Sequence, residues 1–116
     1  MESQMTMDQL HERFFPKGIV HPQIAAGELL LDVRTPEEFE DAHIEGSKNI
    51  DHEEVFEHLD ELRQYEKIFC YCRTGRRSTI VADVLSKFGF QNVILLGDDG
   101  MLHWQEQGYP VVRGAN

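Results

Sequence analysis

The chain is short of cysteine, of positive charge and of long apolar runs, and each shortage removes a class of function. Two cysteines among 116 residues cannot build a disulfide framework or a four-ligand metal site, and none of the six histidines pairs with another at a helical ligand spacing. Cys70 and Cys72 stand too close along an extended segment for ordinary disulfide geometry. This cysteine usage fits a reducing compartment, the cytoplasm. Eleven basic residues against twenty-one acidic leave a formal net charge of −10 and a pI near 4.9, a field that repels nucleic acid and anionic membrane alike. No stretch is apolar for long enough to span a bilayer, and the segment Met1 to Leu10 lacks the basic flank and apolar centre of a signal peptide. Internal repeats and low-complexity tracts are also missing, which excludes a solenoid or a disordered linker.

What remains is an ordinary globular composition, 41% hydrophobic, of a length that suits one domain. Its pattern alternates strands with helices. A short helix is predicted around Met7 to Phe15, broken by Pro16 and Gly18, and residues 1–19 read as an N-terminal helical flank to a domain over 20–116. Leu29 to Val33 is a continuous apolar run of buried-strand length. Thr35-Pro36-Glu37-Glu38 then sets a Thr cap, Pro at the first helical position and Glu three residues after the cap, starting a helix that ends near His43. Ser47 to Ile50 reads as a brief strand. Asp51-His52-Glu53-Glu54 repeats the capping logic before Val55, Phe56, Leu59 and Leu62, which are spaced as one face of a helix. Lys67 to Tyr71 is a strand, and a long helix bearing Ile80, Val81, Val84, Leu85 and Phe88 runs to Gly89. Asn92 to Leu96 is a further strand, and a last helix begins at Met101 and stops before Gly108 and Pro110. Such alternation predicts an α/β fold, a parallel sheet covered on both faces.

Between the strand at 67–71 and the long helix lies Cys72-Arg73-Thr74-Gly75-Arg76-Arg77-Ser78. A thiol at the carboxyl end of a parallel strand, facing a helix N-terminus, occupies the place where open α/β sheets put their ligands. Loop amides and the helix dipole both favour negative charge on its sulfur. Three of the eleven basic residues fall within five positions of this loop, where guanidiniums suit an oxyanion. The loop therefore reads as a nucleophilic thiol beside a site for an anionic substrate. Cys70, inside the apolar strand, reads as a small buried hydrophobe. Gly75 to Thr79 lacks the first glycine and the lysine of a phosphate-binding loop, so no nucleotide site is expected.

In four places these residues resemble the rhodanese sulfurtransferases in their single-domain form. Leu30-Leu31-Asp32-Val33-Arg34-Thr35-Pro36-Glu37-Glu38-Phe39 looks like the family's first signature, and Ala42-His43-Ile44-Glu45-Gly46-Ser47 follows where a Gly-His-Ile-x-Gly-Ala stretch is usual. Cys72 to Arg77 is similar to the six-residue active loop of the sulfur-transferring members. Gly97-Asp98-Asp99-Gly100-Met101-Leu102-His103-Trp104 and Gly108-Tyr109-Pro110-Val111 resemble the closing Gly-Gly-x-x-x-Trp and Gly-x-Pro-Val pattern. The match covers roughly residues 20 to 113 in family order. Ala42, Ser47 and the pair Asp98-Asp99 depart from it, none of them at the thiol.

The resemblance implies a five-stranded parallel sheet with helices on both faces and a persulfide carried on Cys72. The implied reaction moves a sulfane sulfur from thiosulfate or a related small anionic donor to a thiophilic acceptor, cyanide, a thiol or a thiol protein, without cofactor or metal. Arg73, Thr74, Gly75, Arg76, Arg77 and Ser78 are the candidate substrate-binding residues, with Ser78 and Thr79 starting the helix. Asp32 and Arg34 read as a polar pair supporting the loop, and His43 and Trp104 as packing residues with satisfied polar atoms. No residue is placed as a general base. Phosphatases and arsenate reductases attack oxyanions from a similar loop, one residue longer between Cys and Arg, and are the rival class. A non-catalytic binding module on the same fold is a second rival, and such modules usually lack the cysteine.

Overall fold

A computed structural model of the chain describes residues 3–115; Met1 and Glu2 of the N-terminal flank and Asn116 of the domain lie outside the described residues. Its centre is a parallel five-stranded sheet made by β1 (Ser3–Gln4), β2 (Glu28–Asp32), β3 (Lys48–Asn49), β4 (Lys67–Tyr71) and β5 (Val93–Leu95), in the order β1-β5-β4-β2-β3. β4 is the middle strand, so both of its faces are covered. This is why Lys67-Ile68-Phe69-Cys70-Tyr71 is an unbroken apolar run after its first residue. Ile68, Cys70 and Cys72 face one cluster, with Leu29, Leu31 and Val33 of the β2 segment. Phe69 and Tyr71 face the other, with Leu30.

The helices divide between those faces. α4 (Arg76–Lys87) covers the first with Val81, Ala82 and Leu85, helped by Leu62 of α3 (Leu59–Leu62). α1 (Met7–Phe14) and α5 (Met101–Glu106) cover the second with Met7, Leu10, Phe14, Met101 and Trp104. α1 opens on a capping box between Thr6 and Gln9. The N-terminal segment thus adds an edge strand and a core helix: Ser3 and Gln4 pair with Ile94 and Leu95.

Several local expectations are corrected. Asp51 does not cap a helix; its carboxylate accepts the Glu53 N–H at 3.1 Å, a turn two residues long. A 3₁₀ turn over Val55–His58 follows, with only the single α turn of α3 behind it. Tighter winding rotates Phe56 outward, where it is 61% exposed, while Val55 and Leu62 stay buried. α2 (Pro36–Asp41) keeps the expected Thr35 cap and ends near His43 as expected, with Ala42 as its C-cap and the His43 backbone bridging Val112. α4 starts at Arg76, two residues before Ser78, because Gly75 turns the chain into the helix at φ 102°. Its buried face is Ser78, Val81, Ala82 and Leu85, and Ile80 and Phe88 of the expected apolar stripe are about half exposed.

The order of strands fixes where a site can form. From β2 the chain crosses to β3 on one side, and from β4 it crosses to β5 on the other. The connections diverge between β2 and β4, and a crevice opens there at the strands' carboxyl ends.

Candidate active site

Cys72 leaves the end of β4 at this crevice, and the next six residues fold back over its sulfur. The Gly75 N–H donates to Sγ at 3.1 Å and the Ser78 N–H at 3.3 Å. The Ser78 hydroxyl lies 3.4 Å from Sγ, with the carbonyl oxygens of Leu96 at 2.9 Å and Gly75 at 3.1 Å as further partners. A single hydroxyl proton serves one of these acceptors at a time, so Ser78 can either accept a hydrogen bond from the thiol or turn its own donor toward the anion. Two amides and one hydroxyl around one sulfur form an anion nest. Cys72 itself is 1% exposed, at the floor of the loop. Cys70, also buried, has its sulfur 3.9 Å from the Ser78 carbonyl oxygen.

Two glycines allow the loop to close. A Cβ on Gly75 would stand 2.0 Å from the Gly97 carbonyl oxygen, in a backbone conformation that side chains rarely adopt. A Cβ on Gly100 would meet the Cys72 carbonyl oxygen at 2.3 Å. That approach lets the Met101 N–H donate to the Cys72 carbonyl at 2.9 Å and the Leu102 N–H to that of Arg73 at 3.1 Å. The start of α5 therefore holds the loop from the side opposite α4. Asp99 serves a different purpose, accepting the Met7 N–H of α1 at 3.1 Å, and burial raises its carboxyl above the usual range.

The three arginines separate. Arg77 makes a bidentate pair with Glu38, at 2.6 and 2.9 Å, across the crevice from α4 to α2. This hydrogen bonding holds the Glu38 carboxyl at about 2 and raises Arg77 further. Glu38 also completes the α2 capping box with Thr35, so one carboxylate caps a helix and grips the loop arginine. Arg73 and Arg76 are exposed, and neither forms an ion pair among the described residues. They line, with Thr74, Arg77, Ile80 and His52, a cavity of about 420 Å³ at the loop's mouth.

Asp32 and Arg34 lie deeper. Arg34 donates to both carboxylate oxygens of Asp32 at 2.8 to 3.2 Å and to the Ala42 carbonyl at 2.7 Å. Asn49 ties the Asp32 and Arg34 carbonyls from β3. The pair shapes the turn from β2 into α2, whose Thr35 and Glu38 reach the loop through Arg77, and Asp32 also lies in register with Tyr71, the residue before Cys72. Tyr71 packs beside it, its phenol held well above the usual range by burial and then by Asp32. His43 stacks on Phe39 with Nδ1 2.7 Å from the Phe39 carbonyl oxygen, and the Trp104 indole N–H donates to Pro110 at 2.8 Å.

Sequence reasoning missed Glu38 as the partner of Arg77, the contacts of Gly97 and Gly100, and His52. Glu38 is visible in the sequence as a cap and as a letter of the first signature, neither of which points to Arg77. The glycines were visible as motif letters without a physical reason, and His52, twenty residues before the thiol, gave no signal at all.

Comparison with known proteins agrees with this fold. Residues 15–107 match the rhodanese-like domain family. A putative sulfur carrier protein of Bacillus subtilis is 41% identical over 75 residues, covering 65% of this chain and 40% of that one. A thiosulfate sulfurtransferase of Escherichia coli is 32% identical over 72 residues, 60% of this chain and 69% of that one. A rhodanese-related protein from Thermoplasma volcanium superposes with a TM-score of 0.74 at 29% identity, over 97% of this chain and 98% of that one. Some curated relatives are longer; the chain spans about two fifths of the Bacillus protein.

Proposed function

The chain belongs to the rhodanese-like domain family, and from that premise we propose that it is a sulfurtransferase carrying a sulfane sulfur as a persulfide on Cys72. The observation that carries the proposal is the pair of amides, Gly75 at 3.1 Å and Ser78 at 3.3 Å, aimed at a buried cysteine sulfur beneath a cationic mouth. Such donors stabilise an anion there without reorganising during reaction. In the first half-reaction the Cys72 thiolate attacks the outer sulfur of thiosulfate. A bond forms from Sγ to that sulfur, the donor's S–S bond breaks, and its electron pair leaves with sulfite. In the second, a thiophile attacks the outer sulfur of the persulfide and the electron pair returns to Sγ.

Arg73 and Arg76 supply the charge that draws a dianionic donor to an otherwise acidic protein. Arg77 positions the loop through Glu38. Ser78 and Gly75 hold the sulfur, and Thr74 borders the entrance. Asp32 and Arg34 support the β2–α2 turn. The proposal extends to a reducing, cytoplasmic setting in which Cys72 stays a thiol between turnovers. The engagement of Arg77 by Glu38 weighs against the phosphatase reading, which needs that guanidinium for a bound oxyanion.

The test is initial-rate kinetics with thiosulfate and cyanide varied together. A covalent intermediate shared by two half-reactions gives parallel double-reciprocal lines and no rate in Cys72→Ala. Lines that converge, or a mutant that keeps most of the rate, would defeat the proposal; hydrolysis of an aryl phosphate lost in Cys72→Ser would favour the rival.

A further inference from the structure

The mouth cavity holds one group for which the donor chemistry has no use. Thiosulfate is met by guanidiniums, yet His52 forms part of the same wall, on the connection from β3 to the 3₁₀ turn. Its backbone N–H donates to the Val33 carbonyl at 3.0 Å, which fixes the residue to the end of β2 at the crevice. Its side chain is 26% exposed, and Nδ1 lies 3.1 Å from an Asp51 carboxylate oxygen. That contact is not aligned as a hydrogen bond, and Nδ1 is buried, so Nε2 is the nitrogen left to exchange a proton with a ligand. The remaining charged groups around the cavity are Arg73, Arg76 and Arg77 from the loop and α4, none of which accepts a proton.

Resting on the sulfurtransferase reading, we infer that His52 is the general base that deprotonates a thiol acceptor in the second half-reaction. The acceptor R–SH gives its proton to the free imidazole nitrogen. Its sulfur bonds to the outer sulfur of the Cys72 persulfide, the bond from that sulfur to Sγ breaks, and the electron pair stays on Sγ, where the Gly75 and Ser78 amides receive it. The acceptor leaves as R–S–S⁻ and the imidazolium releases its proton to solvent. The persulfide is reduced to the thiolate as the acceptor thiol becomes a persulfide, so no outside oxidant enters. A small thiol arrives protonated. The chemical class implied is an alkyl thiol of ordinary acidity.

The test loads the wild-type chain, His52→Ala and His52→Gln with sulfur from thiosulfate and follows removal of that sulfur at pH 7 in single turnovers by quenched mass spectrometry. The acceptors are 2-mercaptoethanol and thiophenol, both uncharged as thiols. Only roughly 0.3% of 2-mercaptoethanol is ionised at pH 7, which limits what a base can add to about 300-fold. Both variants are expected to load normally, to lose about tenfold in rate with 2-mercaptoethanol, and to change less than about twofold with thiophenol, which is largely ionised without help. Equal losses with both thiols, or no loss with either, would overturn the assignment, the first pointing to a steric role. A wild-type chain that takes up no sulfur would fail at loading, before the acceptor is added, and would overturn the sulfurtransferase reading together with this one.

Discussion

Gly75→Ala separates backbone conformation from collision, and the structure supplies the control for it. Gly75 has φ 102° and Gly89 has φ 88°, so alanine at either must adopt a left-handed backbone, at about 1–2 kcal/mol. At Gly89 an added Cβ meets nothing within 4 Å, whereas at Gly75 it stands 2.0 Å from the Gly97 carbonyl oxygen. Cβ contacts below 3.0 Å are essentially never seen, so the two segments must part by 1.0 Å or more. Such displacement costs a further ~1–3 kcal/mol, as overpacking of a fitted core does. Gly89→Ala should therefore lose about 1 kcal/mol and Gly75→Ala about 3 kcal/mol. With a urea slope of roughly 1.5 kcal/mol/M for a domain of this size, the midpoints should fall by about 0.7 M and about 2 M. The assay is equilibrium urea unfolding of both variants, checked for an unchanged slope. Parting the segments also pulls the Gly75 amide from its 3.1 Å contact with Sγ, so only Gly75→Ala should lose sulfur transfer. Equal midpoint shifts in the two variants would refute the collision, and full transfer in Gly75→Ala would show that this amide is dispensable.

Glu38→Gln removes a carboxylate held at about 2, against an ordinary 4.5, by Arg77. A lowered carboxyl stabilises the fold above its unfolded value and loses that contribution as pH falls through the folded one. Allowing for partial exposure, the variant should be less stable by about 1 kcal/mol at pH 7, a gap that closes between pH 4.5 and about 2; thermal melts across that range check it. Arg34→Met strands the buried Asp32 carboxylate and should cost about 3–5 kcal/mol by urea unfolding, with Asp32→Asn/Arg34→Met recovering part of it. Arg76→Ala should raise the KM for thiosulfate severalfold and leave unfolding unchanged, whereas Arg77→Ala should also lower stability because it frees Glu38. Equal stability losses in these two would contradict the different attachments of the arginines. Ser78→Ala removes the hydroxyl from Leu96, Gly75 and Sγ together, and should cost about 1–2 kcal/mol and slow sulfur loading in a rapid-quench assay.

Much of this architecture is legible in the sequence because its signals are local. β2 and β4 are apolar runs bounded by polar residues, and the Thr35 box sets the start of α2. Signals failed where a distant partner decides. β1 is two polar residues, Ser3 and Gln4, and exists because Ile94 and Leu95 offer an edge. Asp51 has the letters of a cap, and a competing turn took its carboxylate. Arg76 and Arg77 read alike as neighbours in a basic run; one residue of helix turns Arg77 toward Glu38, 39 positions earlier, and leaves Arg76 at the surface. The cationic loop was readable from its composition, but the division of labour inside it depends on contacts across the crevice.

Intact-protein mass spectrometry after brief exposure to thiosulfate tests the central claim most directly, with Cys72→Ser in parallel and cyanide added afterwards. The account predicts a gain of one sulfur atom that is absent from Cys72→Ser and removed by cyanide. An unmodified wild-type chain with its Cys72 thiol reduced, or the same gain in Cys72→Ser, would contradict it.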